Sequence, residues 1–326
     1  MDAPRDFDIL CVGNANIDTF LHVDEETLHC NLDENTDELR IKHGEKIPVT
    51  FSEFLLGGGA SNVAVGVTRL GFSAGLVAEI GDDELSLIIR NTLAREGVFR
   101  THLIQTHGAK TSFAVGIDFK RERTLFVQHV PRKHDFSFDD VTAKWIYIGG
   151  LGDEWKTAYE RAVEFVQKKN VKLAFAPGTK QVNAGLDEIK NVIAKTDILF
   201  VNKEEAQRIS NFKFLNSNQD SNDQMNQLLK LVKDLGPKMV VITDGERGSW
   251  VIDDSGAICH EGASDSMPVE KTGAGDAYAS GFLSAIMLGK NIQEAMAWGT
   301  KNASFVIQKV GSQPGLLRRE EILLSS

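Results

Sequence analysis

From Lys144 onward the chain alternates short apolar runs with amphipathic stretches. The runs Trp145–Ile148, Val171–Ala176, Asp197–Val201 and Lys238–Thr243 have the length of buried strands. Between them the spacing predicts helices near Trp155–Lys169, Lys203–Ile209 and Gln224–Leu235, the last stopped by Gly236-Pro237. Strands alternating with helices predict a parallel, doubly wound α/β sheet. Upstream, Asp8–Gly13 and Gly75–Ile80 read as further buried strands. Val63, Val67 and Leu70, then Leu85, Ile88, Ile89 and Leu93, mark amphipathic helices. Two regions break this pattern. Residues 19–56 and the pair Thr111–Asp118 and Arg123–Val130 alternate in steps of two, as in an exposed antiparallel sheet outside the main fold. Asn216–Asp223 is linker-like.

Composition narrows the function classes. The 326 residues are 42% hydrophobic and 25% charged, ordinary for a globular protein, and carry a net charge of −10. With no Lys/Arg-rich tract, nucleic acid and acidic membrane surfaces are poor partners. Cys11, Cys30 and Cys259 are odd in number and lack CxxC spacing, which fits a reducing compartment. Met1–Phe7 is charged and no apolar run reaches membrane-spanning length, so a cytoplasmic location is expected.

Candidate chemistry clusters at strand ends, where α/β sheets bind ligands. Gly273-Ala274-Gly275-Asp276 precedes a buried helix, so exposed N–H groups at a helix start form an anion site with a carboxylate beside it. The structural alternative is an N-capping Asp after a glycine turn. Asn16 and Asp18, two apart, can grip vicinal hydroxyls or stabilise a turn. Gly57-Gly58-Gly59 before a helix allows close backbone approach to a ligand that Asn62 can reach; the GxGxxG spacing of a dinucleotide site fails. Asn202 and Glu205, three apart on a first helical turn, can hold hydrated Mg²⁺ or simply start the helix. Thr243–Gly248 resembles a hairpin turn whose glycines can admit a flat base.

Together these segments, in this order and spacing, resemble the ribokinase-like (PfkB) family of carbohydrate and nucleoside kinases over nearly the whole chain, including Gly311-Ser312-Gln313-Pro314 near the end. The resemblance implies a three-layer sandwich with a mostly parallel central sheet and a small β-sheet lid. Its core would be residues 1–18, 56–107 and 131–326, and its lid residues 19–55 and 108–130. It implies ATP-dependent phosphorylation of a sugar hydroxyl, ribose- or fructose-like, with Asp276 as general base and Gly273, Ala274, Gly275 and Asp276 as the anion hole. Asn16, Asp18, Gly58, Gly59 and Asn62 would bind the sugar. Asn202, Thr243, Gly245, Gly248 and Asn302 would line the ATP site, and Glu205 with Asn202 would position Mg²⁺ through water. Lid sheets of the family often pair between subunits, so a homodimer is expected.

The family's Asp-Thr before the glycine turn is Glu270-Lys271 here, which puts a monovalent cation in doubt. Lys271 would either replace that cation or point to solvent. A nucleoside substrate is the alternative, for which Phe20, Phe113 and Phe119 are candidate stacking faces. A phosphosugar would want basic side chains, and Arg121, Arg123, Arg132 and Lys133 lie in or near the second lid segment. The reading from another class is a catalytically silent ligand-binding member.

Overall fold

The computed structural model describes residues 5–24, 26–33, 36, 38–119, 122–214 and 222–324. Most of the charged start, most of the linker-like stretch and part of the hairpin tip with Arg121 lie outside them, as does the side chain of Arg123.

In chain order the elements are β1 (Arg5–Val12), β2 (Asn16–Val23), β3 (Cys30–Asp33), β4 (Glu38–Ile41), β5 (Val49–Gly57), α1 (Gly59–Arg69), β6 (Ala74–Ile80), α2 (Glu84–Arg95) and β7 (Leu103–Gln105). There follow β8 (Phe113–Phe119), β9 (Glu122–Gln128), β10 (Val141–Ile148), α3 (Trp155–Lys169), β11 (Lys172–Phe175), α4 (Thr179–Ala184), α5 (Leu186–Ile193), β12 (Ile198–Asn202), α6 (Lys203–Ser210) and α7 (Asn222–Lys233). The chain continues through β13 (Met239–Thr243), a 3₁₀ turn (Gly245–Arg247), β14 (Ser249–Ile252), β15 (Ile258–Glu261), α8 (Ala274–Met287), α9 (Ile292–Val306) and α10 (Arg319–Leu323).

A nine-stranded sheet runs in the order β15-β14-β13-β12-β11-β10-β1-β6-β7. It is parallel from β7 to β13, and the pairs β13–β14 and β14–β15 are antiparallel. Successive strand residues point to opposite faces, so each continuously apolar strand feeds two cores. Ile9 and Cys11 pack with the buried residues of α1, α2, α8 and α9, whereas Leu10 and Val12 pack with those of α3, α5, α6 and α7. The result is the three-layer ribokinase-like sandwich.

The second sheet, in the order β5-β2-β8-β9, forms the lid, with β2 and β8 parallel and its other pairs antiparallel. It begins earlier than expected: Asn16 pairs with Gly57 and Asp18 with Leu55, so residues 16–18 and 56–57 already belong to it. β3 and β4 form a separate hairpin, with Cys30 packed against Val23 and Phe119. Two short helices, α4 and α5, occupy a stretch with no predicted element. They are split by Gly185 at φ 99°. No helix among the described residues is long and apolar enough to cross a membrane.

Candidate active site

α1 and α8 start face to face beneath the lid. Gly273 adopts φ 78° immediately before α8, and a Cβ there would lie 2.4 Å from that of Ser312, so only glycine makes this turn. In the first turn of α8, Gly275 and Asp276 have N–H groups without intrahelical acceptors by position. The Ala274 N–H differs, donating at 3.3 Å to the Lys271 carbonyl. On the opposing helix, Gly59 sits so close to Asp276 that an added Cβ would lie 3.2 Å from Oδ1.

Asn62 is buried, and both ends of its amide are engaged. Nδ2 donates to Asp276 Oδ2 at 2.8 Å, while Oδ1 accepts from Ser312 Oγ and Gln313 Nε2, both at 2.9 Å. Asn62, expected to bind the sugar, here holds the Asp276 carboxylate. Burial pushes the Asp276 carboxyl above the usual carboxylate range, and the Asn62 hydrogen bond pulls it part of the way back. A carboxylate so placed is a stronger base than one in water.

A cavity of about 320 Å³ opens over Asp276, with Asn14, Asn16, Gly58, Gly59, Thr179 and Glu205 in its wall. Gly58, at φ 97°, lies against Asn14, whose carbonyl a Cβ would approach to 2.3 Å. Asp18 braces this wall: its Oδ1 accepts from Asn16 Nδ2 at 2.7 Å, and its carboxylate lies on Gly57. A second cavity of about 300 Å³ runs between the Gly245–Gly248 turn and α9, past Ser264, Ala303 and Ile307. The two share Thr243, Gly275 and Tyr278. A two-part ligand system would thus meet at the α8 N-terminus. Gly248 needs its φ of 87°, because a Cβ would come within 2.0 Å of the Glu261 carbonyl.

Asn202 and Glu205 combine both readings of their spacing. Asn202 Oδ1 accepts from the Glu205 N–H at 2.8 Å and Glu205 Oε2 from the Asn202 N–H at 2.9 Å, a reciprocal cap that also lines the cleft. Burial raises the Glu205 pKa, with the Glu204 and Asp276 charges adding to it and the Asn202 hydrogen bond opposing it. This accumulation of negative charge suits a hydrated divalent cation. No group of three or more His, Cys, Asp or Glu able to hold a metal directly occurs among the described residues.

Asn302 corrects an expectation. It is fully buried and does not line either cavity. Its Nδ2 donates to the Ala277 carbonyl and Ser280 Oγ, and its Oδ1 accepts from the Leu317 N–H, so it pins α9 to α8 and to the C-terminal segment. Asn14, from the polar cluster after the first strand, lines the first cavity with Tyr147 and Thr179, which carried no predicted role. Only their positions just past or at strand ends could have flagged them. Lys271 points outward at the mouth of the second cavity, 3.8 Å from Glu246.

The model of the pfkB family of carbohydrate kinases matches residues 8–318. The 5-dehydro-2-deoxygluconokinase of Bacillus subtilis (strain 168) is 26% identical over 333 residues, spanning 97% of this chain and 94% of that protein. The structure of Arabidopsis thaliana ribokinase complexed with ribose and ATP superposes with a TM-score of 0.78 at 21% identity, over 98% of each chain. Adenosine kinase from Sinorhizobium meliloti gives 0.77 at 24% identity, over 98% of this chain and 99% of that one.

Proposed function

Because the chain belongs to the pfkB family of carbohydrate kinases and is an ATP-dependent sugar kinase, we propose that it phosphorylates a hydroxyl of a small neutral sugar of ribose or fructose type, with Asp276 as general base. One observation carries this reading: a desolvated carboxylate beside the Gly275 N–H at the junction of two cavities. The sugar would lie over Asp276 against Asn14, Asn16, Gly58 and Gly59. ATP would lie along Thr243, Gly245 and Gly248 with its γ-phosphate at the start of α8. Asp276 takes the proton of the attacking hydroxyl, and the Gly275 and Asp276 N–H groups of the Gly273–Asp276 turn donate to the charged phosphoryl oxygens. Mg²⁺, held through water by Asn202 and Glu205, would neutralise charge on the β- and γ-phosphates. Positioning and charge stabilisation together supply most of the acceleration in such transfers.

A neutral sugar is favoured because no Lys, Arg or His lines the cleft over Asp276 among the described residues. Arg132 is buried beside Lys110, to whose carbonyl it donates, and Lys133 is exposed; neither is in that wall. For the nucleoside alternative, Phe20 and Phe119 are buried within the lid and Phe113 packs on the core, so none offers a stacking face in the cleft. The name of the Bacillus subtilis relative supports a second reading, an anionic sugar acid. A coupled ADP-release screen over pentoses, hexoses, sugar acids and nucleosides decides. Highest kcat/KM on a neutral pentose or hexose supports the first reading, a sugar acid the second, and a nucleoside overturns both.

The lid's edge strands leave Phe51, Phe54 and Phe126 each more than half exposed, which supports pairing of the lid with a second copy. Light scattering at the monomer mass of 35.9 kDa across micromolar concentrations would overturn the dimer.

A further inference from the structure

We infer that Lys271 is a polyphosphate-binding residue of this kinase, exchanging Glu246 for the phosphates of ATP. The inference rests on assigning the cavity between the Gly245–Gly248 turn and α9 to the nucleotide. Charge makes the case. Among the described residues lining the two joined cavities the acids are Asp276, Glu205 and Glu246, and Lys271 is the one cationic side chain. ATP brings about four negative charges and a divalent ion returns only two, so the sole lysine faces a large unbalanced anion.

Geometry agrees. Lys271 stands two residues before the left-handed Gly273 and lines the same cavity as Ala274 and Gly275 at the α8 N-terminus. Its backbone is anchored: the carbonyl accepts from Ala274, while the neighbouring Glu270 N–H donates to the Ile307 carbonyl at 3.0 Å and the Glu270 carboxylate accepts from the Gly311 N–H. The side chain, by contrast, is 76% exposed, and its partner Glu246 is 90% exposed at 3.8 Å. A pair that open is weak and screened by salt, so a phosphate displaces the carboxylate readily. Glu246 then acts as a placeholder that keeps the ammonium at the cavity mouth.

The test compares Lys271→Met, Lys271→Arg and Glu246→Gln by initial rates and by titration calorimetry with a non-hydrolysable ATP analogue and with AMP. Lys271→Met should raise the KM for ATP and weaken the analogue about tenfold, the loss of one charge-assisted contact, while AMP affinity stays the same. Lys271→Arg should restore most of the loss, and Glu246→Gln should tighten the analogue. An unchanged analogue affinity in Lys271→Met, or equal losses for analogue and AMP, overturns the inference. Ala303→Trp, which fills the cavity, separates the two levels. If it weakens the analogue and Lys271→Met does not, the cavity stands and the lysine's role falls; if neither does, the cavity assignment falls and the lysine's role with it.

Discussion

Asn62 and Asp276, 214 residues apart, form a 2.8 Å hydrogen bond that joins the first turns of α1 and α8. Because Ser312 and Gln313 both donate to the Asn62 oxygen, its amide nitrogen is obliged to face the carboxylate. The proposed base is thus oriented by a chain of three segments, none of which is adjacent in sequence.

Asp276→Asn should lower kcat by about 10² to 10⁴-fold with little change in either KM. The same variant should be more stable than the parent at neutral pH. Burial raises the folded-state pKa of Asp276, so between the ordinary carboxylate pKa and that raised value the native form holds a proton the unfolded form has lost. Stability from this group is therefore present at low pH and lost as pH rises through that window. Thermal melts from pH 4 to 8 should show the variant's advantage growing with pH; a destabilised variant at pH 8 would contradict the desolvation account.

Asn62→Ala removes the one hydrogen bond that draws the Asp276 pKa down, so the acid limb of the kcat profile should move to higher pH. If Asn62 instead served the sugar directly, the KM for sugar would rise while the limb stayed put. The pH–rate profile separates these roles. A stability loss of roughly 1–3 kcal/mol should accompany the change, because Ser312 and Gln313 lose a buried acceptor.

How much of this was legible in the sequence differs by residue. The start of α8 was readable because Gly-Ala-Gly-Asp before an apolar run carries its own backbone logic. The partner of Asn62 was not, since spacing along the chain says nothing about a contact across 214 residues. Asn302 misled for a related reason: a polar side chain on a helix looks the same whether it faces a ligand or satisfies buried carbonyls. Period-two alternation found the lid strands, yet the order β5-β2-β8-β9 and the parallel β2–β8 pair depend on how the lid docks on the core. α4 stayed hidden because 6 residues hold less than two turns of pattern, whereas α5 does carry a helical spacing in Leu186, Ile189, Val192 and Ile193.

Glu205→Gln should raise the Mg²⁺ concentration needed for half-maximal rate about tenfold, as changes at a residue acting through water commonly do. Gln keeps the reciprocal cap with Asn202, because its carbonyl accepts the same N–H, so the fold should be preserved. Mn²⁺ titration followed by electron paramagnetic resonance, with ATP present, measures the metal step apart from turnover. Equal Mn²⁺ affinity in variant and parent would leave Glu205 as a helix cap alone.

Arg69 donates to Glu96 through Nε and Nη2 at 2.8 and 2.9 Å, and through Nη1 to the carbonyls of Gln313 and Leu316 at 2.9 and 2.8 Å. Both partners of the ion pair are largely buried, at 13% and 11% exposure, so Arg69→Leu leaves the Glu96 carboxylate with only the more distant charges of Arg318 and Arg95 and should cost about 3 kcal/mol at neutral pH. Hydrogen bonding to Arg69 is the first cause holding the Glu96 pKa below its ordinary value, against desolvation. That stabilisation is present above the unfolded carboxylate pKa and is lost as pH falls through the lower folded value. Denaturant titrations should therefore show the gap between parent and variant narrowing toward acid pH. Arg69 also ties down the turn that carries Ser312 and Gln313, so the variant should shift the acid limb of kcat in the same direction as Asn62→Ala. A destabilised variant whose pH–rate profile matches the parent would show that the C-terminal turn holds its shape, and Asp276 its orientation, without the arginine.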